Sequence, residues 1–398
     1  MRALVIGSGI AGLSAALYLE RAGVDVQVLE KSGDVRQVGL GLNILPYAVQ
    51  ELAELGLLGE LHRSAIPTVE EIYANRLGQL IWKEPCGTEA GHPAPQLAIS
   101  RGRLQGLLYR AVLERLGESV VRTGHHLVGF QQDETGVTAH FTDQAPVRGD
   151  LLIGADGIHS TVRSQLFPGE GPPKWNGVTL WRGATEWPAF FDGNSVLVAG
   201  GESGKVVIYP MGEGARVGTR LTNWVVCVKT SQGSGPPPRR QDWLRQGQRT
   251  DVDRYLTRFS LPYIDVAGLV HATDEFYEFP LCDRDPLPWW SSGRVTLLGD
   301  AAHPMYPMGS NGVGQAILDA KSLAEHLGKA GDPATALAGY QDDRLSVTAQ
   351  FVHRSRRGGL DSVIDEIEGR APDGFDDIED IVARDELLEL VRRASSGV

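Results

Sequence analysis

The sequence predicts an α/β fold: a Rossmann-like unit at its start, a strand-rich and mostly antiparallel stretch in its middle, and helices after about residue 336. Three observations predict it. A strand, a glycine-rich turn, a helix and a second strand fill the first thirty residues. Two further apolar strands run into glycine-containing turns near residues 154 and 299. Between these, residues 176–229 alternate β-branched and aromatic residues with polar ones. At 398 residues the chain also exceeds the roughly 250–300 that one core supports, so two domains are expected.

The opening run Ala3-Leu4-Val5-Ile6 is a strand by its apolar character, and Gly7-Ser8-Gly9-Ile10-Ala11-Gly12 follows directly. A helical pattern continues from Leu13 to about Ala22 and stops at Gly23, a favourable C-terminal cap. Val24–Leu29 alternates as a second strand and ends at Glu30. Gly7 permits a tight turn, Gly9 lets a pyrophosphate touch the backbone, and Gly12 lets the helix pack on the strand. The N–H groups of Ile10 and Ala11 open that helix, where a phosphate is stabilised. A carboxylate at Glu30 accepts hydrogen bonds from ribose hydroxyls. The pattern predicts dinucleotide binding without distinguishing FAD from NAD.

The second motif is Leu151-Leu152-Ile153-Gly154-Ala155-Asp156-Gly157, followed by a helix with Ser160 or Thr161 as cap. The third runs from Arg294 through Gly299-Asp300 to Gln315, with a helix expected from near Gly312 to about Leu327. An acid at a strand's C-terminal end is well placed to hold ligand hydroxyls. The N–H groups of Gly312 and Val313 suit an anionic ring edge. His303 lacks partners at metal-ligand spacing and is expected to be structural; no metal is expected.

Composition removes other classes. The net charge of −12 disfavours nucleic acid as a partner. Residues 361–398 hold 12 Asp/Glu against 4 Arg/Lys, so most of that charge lies in the tail. Cys86, Cys227 and Cys282 lie far apart without CxxC spacing, which argues against a disulfide framework. No apolar run approaches the ~20 residues of a membrane span, and no signal peptide is recognised. A cytoplasmic protein is expected. Gly201-Glu202-Ser203-Gly204-Lys205-Val206 has the wrong spacing for a phosphate-binding P-loop. Neither GxSxG nor HExxH occurs.

The three glycine motifs, in this order and separation, resemble those of the FAD-dependent aromatic hydroxylases, single-component flavoprotein monooxygenases of the para-hydroxybenzoate hydroxylase fold. The resemblance covers about residues 1–330. It is nearest to the bacterial phenazine hydroxylase branch, through Gly39–Pro46, Thr179-Leu180-Trp181-Arg182-Gly183, Asp283–Pro288 and Met305-Tyr306-Pro307-Met308-Gly309. It implies that Gly7, Gly9, Ile10, Ala11 and Gly12 hold the FAD pyrophosphate, and Glu30, Lys31 and Ser32 the adenosine. Gly41, Leu42 and Asn43 approach the flavin. Arg101 and Gln105 contact phosphate or ribose, and Leu127 lies near the adenine. Gly299 and Asp300 hold the ribitol; Pro307, Gly309, Gly312 and Val313 border the ring. Asp156 and Arg163 serve both FAD and nicotinamide. Gly314 departs from many relatives, which carry Asn there.

The resemblance also implies interleaved domains: 1–70, 99–175 and 281–335 for FAD, 71–98 and 176–280 for a substrate-binding sheet, and 336–398 as a helical region with the acidic tail. Strands are expected at Val178–Glu186, Ser195–Ala199, Lys205–Tyr209 and Leu221–Val228, and a loop at 231–240. Trp181, Arg182, Tyr209, Trp224, Tyr277, Met305 and Tyr306 are the candidate substrate wall. Arg182 is the candidate partner of a substrate carboxylate.

The implied activity is hydroxylation of an aromatic or heteroaromatic small molecule, with decarboxylation an option, through a flavin hydroperoxide. FAD would be non-covalent, NADH or NADPH the transient reductant and O2 the oxidant. No side chain is needed as a nucleophile, so no catalytic residue is expected. The alternatives are a dehydrogenase or reductase of the same fold without oxygen insertion, and a non-catalytic nucleotide-binding escort protein.

Overall fold

The computed structural model describes residues 1–34, 39–233, 237–242, 245–329 and 331–396. Arg2–Ile6 is the centre of a five-stranded parallel sheet. Asp25–Leu29 and then Val121–Arg122 lie on one side; Leu151–Gly154 and then Val295–Leu297 lie on the other. These strands are buried, so their sequences read as continuous apolar runs rather than alternating ones. Because all are parallel, the turns after the three glycine-motif strands emerge side by side at one sheet edge. Ala155 N donates to Ile6 O, and Leu298 N donates to Gly154 O.

Helix Ile10–Arg21 begins at the N-cap Gly9 and packs against Asn311–Lys329. Their close approach to the sheet depends on Gly12: a Cβ there would lie 2.0 Å from Gly7 O. Arg101–Leu116 flanks Ile10–Arg21, and Pro333–Ser355 packs on Asn311–Lys329. A small antiparallel sheet joins Gly41–Ile44 and Ile66–Thr68 through the shared strand Gln96–Ser100. Another joins Leu127–Asp133, Gly136–Phe141 and Val147–Gly149.

The larger sheet has seven strands, in the order Phe276–Asp283, Lys174–Pro188, Thr219–Lys229, Gly204–Glu213, Ser195–Ala199, Glu70–Ala74 and Leu80–Pro85. All neighbours are antiparallel except Ser195–Ala199 with Glu70–Ala74. One face carries Trp181, Trp224, Ile208, Leu197 and Val226 into a core with helices Arg249–Leu256 and Val266–His271. The other face looks toward the parallel-sheet half of the molecule. The fold is thus α/β, with parallel and antiparallel sheets drawn from alternating chain segments.

The acidic tail packs on the body. Helices Asp361–Arg370 and Arg384–Ser396 bury Val363, Ile364, Ile367, Leu387 and Val391 against Ile81 and Val198. Of the expected 231–240 loop, residues 234–236 lie outside the described residues. Its Arg239 pairs with Glu278 on the sheet. Among the described residues, no helix is long and apolar enough to cross a membrane.

Candidate functional site

The three glycine turns open onto one cavity of about 810 Å³. Its first end is lined by Gly9, Ile10 and Ala11, with Ala155, Gly157 and Asp300 beside them. Gly9 has no side-chain cap across it, and a Cβ built on it meets nothing within 4 Å. The first turn of the helix therefore presents backbone N–H groups to open space, the arrangement that suits phosphate. At the end of the second strand, Glu30 accepts from Ser8 N at 2.8 Å, Ser8 Oγ at 2.9 Å and Ser32 N at 2.9 Å. Gln105 donates to Ser8 O, steadying the same turn, while Lys31 is exposed.

Further along, the cavity is lined by Gly41, Leu42, Asn43, Arg101, Pro307, Gly309, Gly312 and Val313. Burial pushes the Arg101 guanidinium below its usual pKa; Asp300 opposes that shift and Arg182 adds to it. Gly41 lets its strand lie on the large sheet, since a Cβ would come within 2.8 Å of Asn223 and Tyr209. Gly41 N donates to Asn223 Oδ1 and Gly41 O accepts from Arg182. Helix Asn311–Lys329 places Gly312 and Val313 in its first turn, as the sequence predicts. The departure at Gly314 has a physical reason: a Cβ there would meet the Tyr47 hydroxyl at 2.3 Å. Tyr47 fills that space, donating to Asn311 Oδ1 and accepting from Gln315.

The pleat of the seven-stranded sheet decides which residues face the cavity. Arg182, Val225 and Val207 form one cross-strand row, and Leu180, Cys227 and Lys205 the next. Tyr209 and Val196 follow on the same face. All of these line the cavity, as do Met305 and Tyr306 from the loop opposite. Among the described residues, Arg182 Nε and Asn43 Oδ1 are buried without a hydrogen-bond partner. Burial raises the Tyr209 phenol, and Arg182 beside it partly offsets this.

Several sequence-derived candidates lie elsewhere. Trp181 and Trp224 are in the opposite core, where their indole N–H groups donate to Glu278 and Thr273. Successive strand residues point to opposite faces, so Trp181 cannot join Arg182 in the cavity. Tyr277 is beside Arg182 in register but packs at the sheet edge near Leu40, Leu180 and Phe279 rather than lining the cavity. Leu127 is buried in the core of the parallel-sheet half. Asp156 caps the helix Thr161–Leu166, accepting from Ser160 Oγ, Thr161 N and Val162 N. Arg163 is 1% exposed and is spent on Glu170 and on the carbonyls of Ala301, Ala302 and Asp285. These two brace the motif loops from behind. His303 is structural, bonded to Asp319.

Other lining residues belong to none of the sequence motifs: Tyr47, Glu71, Tyr73, Glu84, Lys205, Val207, Val225, Cys227 and the Gly358–Asp361 turn. The available signal was period two. Once Tyr209 is placed in the cavity, Val207 and Lys205 must follow it. The C-terminal residues carried no such signal.

A glycine cradle at a free helix N-terminus, an acid at the second strand's end and a long cavity with orphaned polar atoms fit a dinucleotide carrying a flat ring. The comparisons agree. A family model described as "FAD binding domain" matches residues 1–355. The chain is 40% identical over 362 residues to the phenazine 1,6-dicarboxylic acid hydroxylase of Lysobacter antibioticus, covering 89% of this chain and 88% of that one. It is 33% identical over 368 residues to 3-hydroxybenzoate 6-hydroxylase 1 of Aquipseudomonas alcaligenes, covering 89% and 87%. Its fold is similar to that of Klebsiella pneumoniae HpxO complexed with FAD and uric acid, with TM-score 0.78, 25% identity, and coverage of 99% and 96%.

Proposed function

The chain belongs to the FAD-binding aromatic hydroxylase family and is an FAD-dependent monooxygenase, and from that premise we propose that its substrate is a flat aromatic or heteroaromatic carboxylic acid. NADH or NADPH serves as reductant and O2 as oxidant. FAD, when bound, takes electrons from the nicotinamide and activates oxygen for insertion into the ring. The protein's own tasks are to hold both partners, orient the ring and keep water out.

The observation that carries the substrate class is Arg182. Arg182 lines the cavity; its Nε is buried and lacks a hydrogen-bond partner, while its guanidinium is held by Gly41 O and lies beside the Tyr209 phenol. A guanidinium fixed in this way is suited to a carboxylate. Tyr209, Met305 and Tyr306 bound the same space, and Val196, Val207 and Val225 give it an apolar floor. Gly9, Ile10 and Ala11 would hold the pyrophosphate, Glu30 the ribose, Asp300 the ribitol, and Gly312 and Val313 the anionic ring edge. Residues 1–70, 99–175 and 281–335 would form the FAD-binding domain, 71–98 and 176–280 the substrate domain, and 336–398 a C-terminal helical region with the acidic tail.

Three measurements test this reading. The purified protein is expected to bind FAD and turn yellow, to oxidise NAD(P)H faster with an aromatic carboxylate present, and to place one atom of ¹⁸O₂ in the product. Product formed without label would replace oxygen insertion with dehydrogenation. Arg182→Ala is expected to weaken carboxylate binding by about 1.5–3 kcal/mol, tenfold or more; unchanged affinity would sink the carboxylate assignment.

A further inference from the structure

A second cation faces the cavity. Lys205 stands on the same sheet face as Arg182, with the strand Thr219–Lys229 between them. Two interstrand steps and one two-residue step along the strand separate their Cα atoms by roughly 12 Å. The floor between the two cations is apolar: Leu180, Val207 and Val225, with Cys227 beside Lys205.

Lys205 is 8% exposed and pairs with Asp361, itself 5% exposed, the first residue of helix Asp361–Arg370. Both line the cavity. This pair is not needed to dock the helix, which already buries Val363, Ile364 and Ile367 and accepts backbone N–H groups of Glu202 and Arg76 through Asp365 and Glu368. A buried ion pair seldom repays its desolvation by stability alone. An ammonium has three donors, and the bond to Asp361 uses one. Burial disfavours the charged lysine, but Asp361, with Cys227 and Glu202 adding to it, outweighs this, so the donors remain.

We infer that Lys205 is the anchor for the far end of the substrate, taking a second carboxyl group carried on a fused ring system on the side away from Arg182. Asp361 holds the ammonium in place and, by its own charge, limits how tightly a full carboxylate is accepted. The inference deepens the proposed function and rests on Arg182 taking the first carboxylate.

The test uses FAD-loaded holoenzyme and two probes, phenazine-1-carboxylic acid and phenazine-1,6-dicarboxylic acid, which differ by one carboxyl. Dissociation constants come from the change in flavin absorbance. The native protein is expected to favour the dicarboxylate by about tenfold or more. Lys205→Met should reduce that preference to within about twofold, Lys205→Arg should keep it, and Asp361→Asn should widen it, through a charge-assisted bond freed of a competing carboxylate. FAD content and unfolding midpoint accompany each variant. If Lys205→Met does not fold, Lys205→Arg and Asp361→Asn carry the comparison. Equal binding of both probes by the native protein, or equal weakening of both in Lys205→Met, overturns the anchor and leaves the Arg182 reading standing. Failure of Asp361→Asn to widen the preference overturns the role given to Asp361. Native protein that binds neither probe overturns the proposed substrate class and the anchor with it.

Discussion

His303 Nε2 lies 2.5 Å from Asp319 Oδ2, and both side chains are buried. The same carboxylate accepts Gly299 N and, through its other oxygen, Arg344 Nε at 2.8 Å. Arg344 continues to Gln315, and Gln315 to Tyr47 at the cavity wall. One buried acid thus ties the Gly299-Asp300 turn to the helix that opens at the ring edge. Asp319→Asn keeps the shape and removes the charge, leaving Arg344 without its counterion. It should cost about 3–5 kcal/mol of stability, read by chemical unfolding of the holoenzyme.

The pH dependence of that loss has a fixed sign. Burial pushes the Asp319 carboxyl up, but His303 and Arg344 outweigh it, and the net shift is downward. A carboxylate with a depressed native pKa contributes stability above the ordinary range near 3.9 and loses it as pH falls through the native value. The gap between native protein and Asp319→Asn should therefore narrow in acid, as the native carboxylate takes up its proton. A gap that does not narrow in acid would contradict the assignment.

Gly9 and Gly12 belong to one motif but should fail differently. A Cβ on Gly12 would strike Gly7 O at 2.0 Å, whereas one on Gly9 meets nothing within 4 Å. Gly12→Ala should lower the unfolding midpoint of the apoprotein. Gly9→Ala should leave the apoprotein's midpoint alone and weaken FAD binding, because its methyl group stands where the pyrophosphate would approach. FAD titration beside thermal unfolding separates the two. A Gly9→Ala apoprotein as destabilised as Gly12→Ala would mean that Gly9 serves packing.

Trp181 should affect stability rather than substrate. Its ring is 2% exposed in the core beneath the sheet, and its N–H donates to Glu278 at 3.2 Å. Trp181→Phe leaves that buried carboxylate short of a donor, a cost of about 1–3 kcal/mol. The KM for an aromatic substrate should not move, whereas Tyr209→Ala, on the cavity face, should raise it. A raised KM in Trp181→Phe with an unchanged unfolding midpoint would reverse the two assignments.

These residues also show where the sequence was legible. The parallel sheet and its glycine turns could be read because each element is local: an apolar run, a glycine and a helix N-terminus within a dozen residues. The large sheet's strands could be read from alternation, but the face they turn to the cavity could not be read from aromatic content. Trp181 and Arg182 are neighbours on one strand, so at most one could face the cavity. In the sequence Lys205 stands only at the start of an expected strand and in a glycine stretch that lacks phosphate-loop spacing. Its partner Asp361 lies 156 positions away, a contact that no local pattern encodes. The tail's docking is legible in part: among its twelve acids, Leu387-Leu388-Glu389-Leu390-Val391 has the amphipathic pattern of a helix that packs on the body, and Leu387 and Val391 are buried there.

Arg163 provides the remaining separation of roles. Family likeness gives it to the nucleotides, but in the structure its guanidinium is occupied: Nε donates to Glu170, Nη2 to Glu170 and Asp285 O, and Nη1 to Ala301 O and Ala302 O. Glu170 also pairs with Arg284, so the cluster joins the Ala301-Ala302 turn to the strand-end segment at 284–285. Arg163→Met would leave Glu170 to Arg284 alone and strand the three carbonyls that Arg163 serves, and about 3 kcal/mol of stability should be lost. Arg163→Lys should recover little, since a single ammonium cannot span a carboxylate and carbonyls on separate segments. Both variants should lose FAD more readily, because the Gly299-Asp300 turn runs directly into the Ala301 and Ala302 carbonyls that Arg163 holds. In whatever fraction stays loaded, the KM for NADH and NADPH should be unchanged. A raised nicotinamide KM in Arg163→Met, with stability and FAD content intact, would return this residue to direct nucleotide contact.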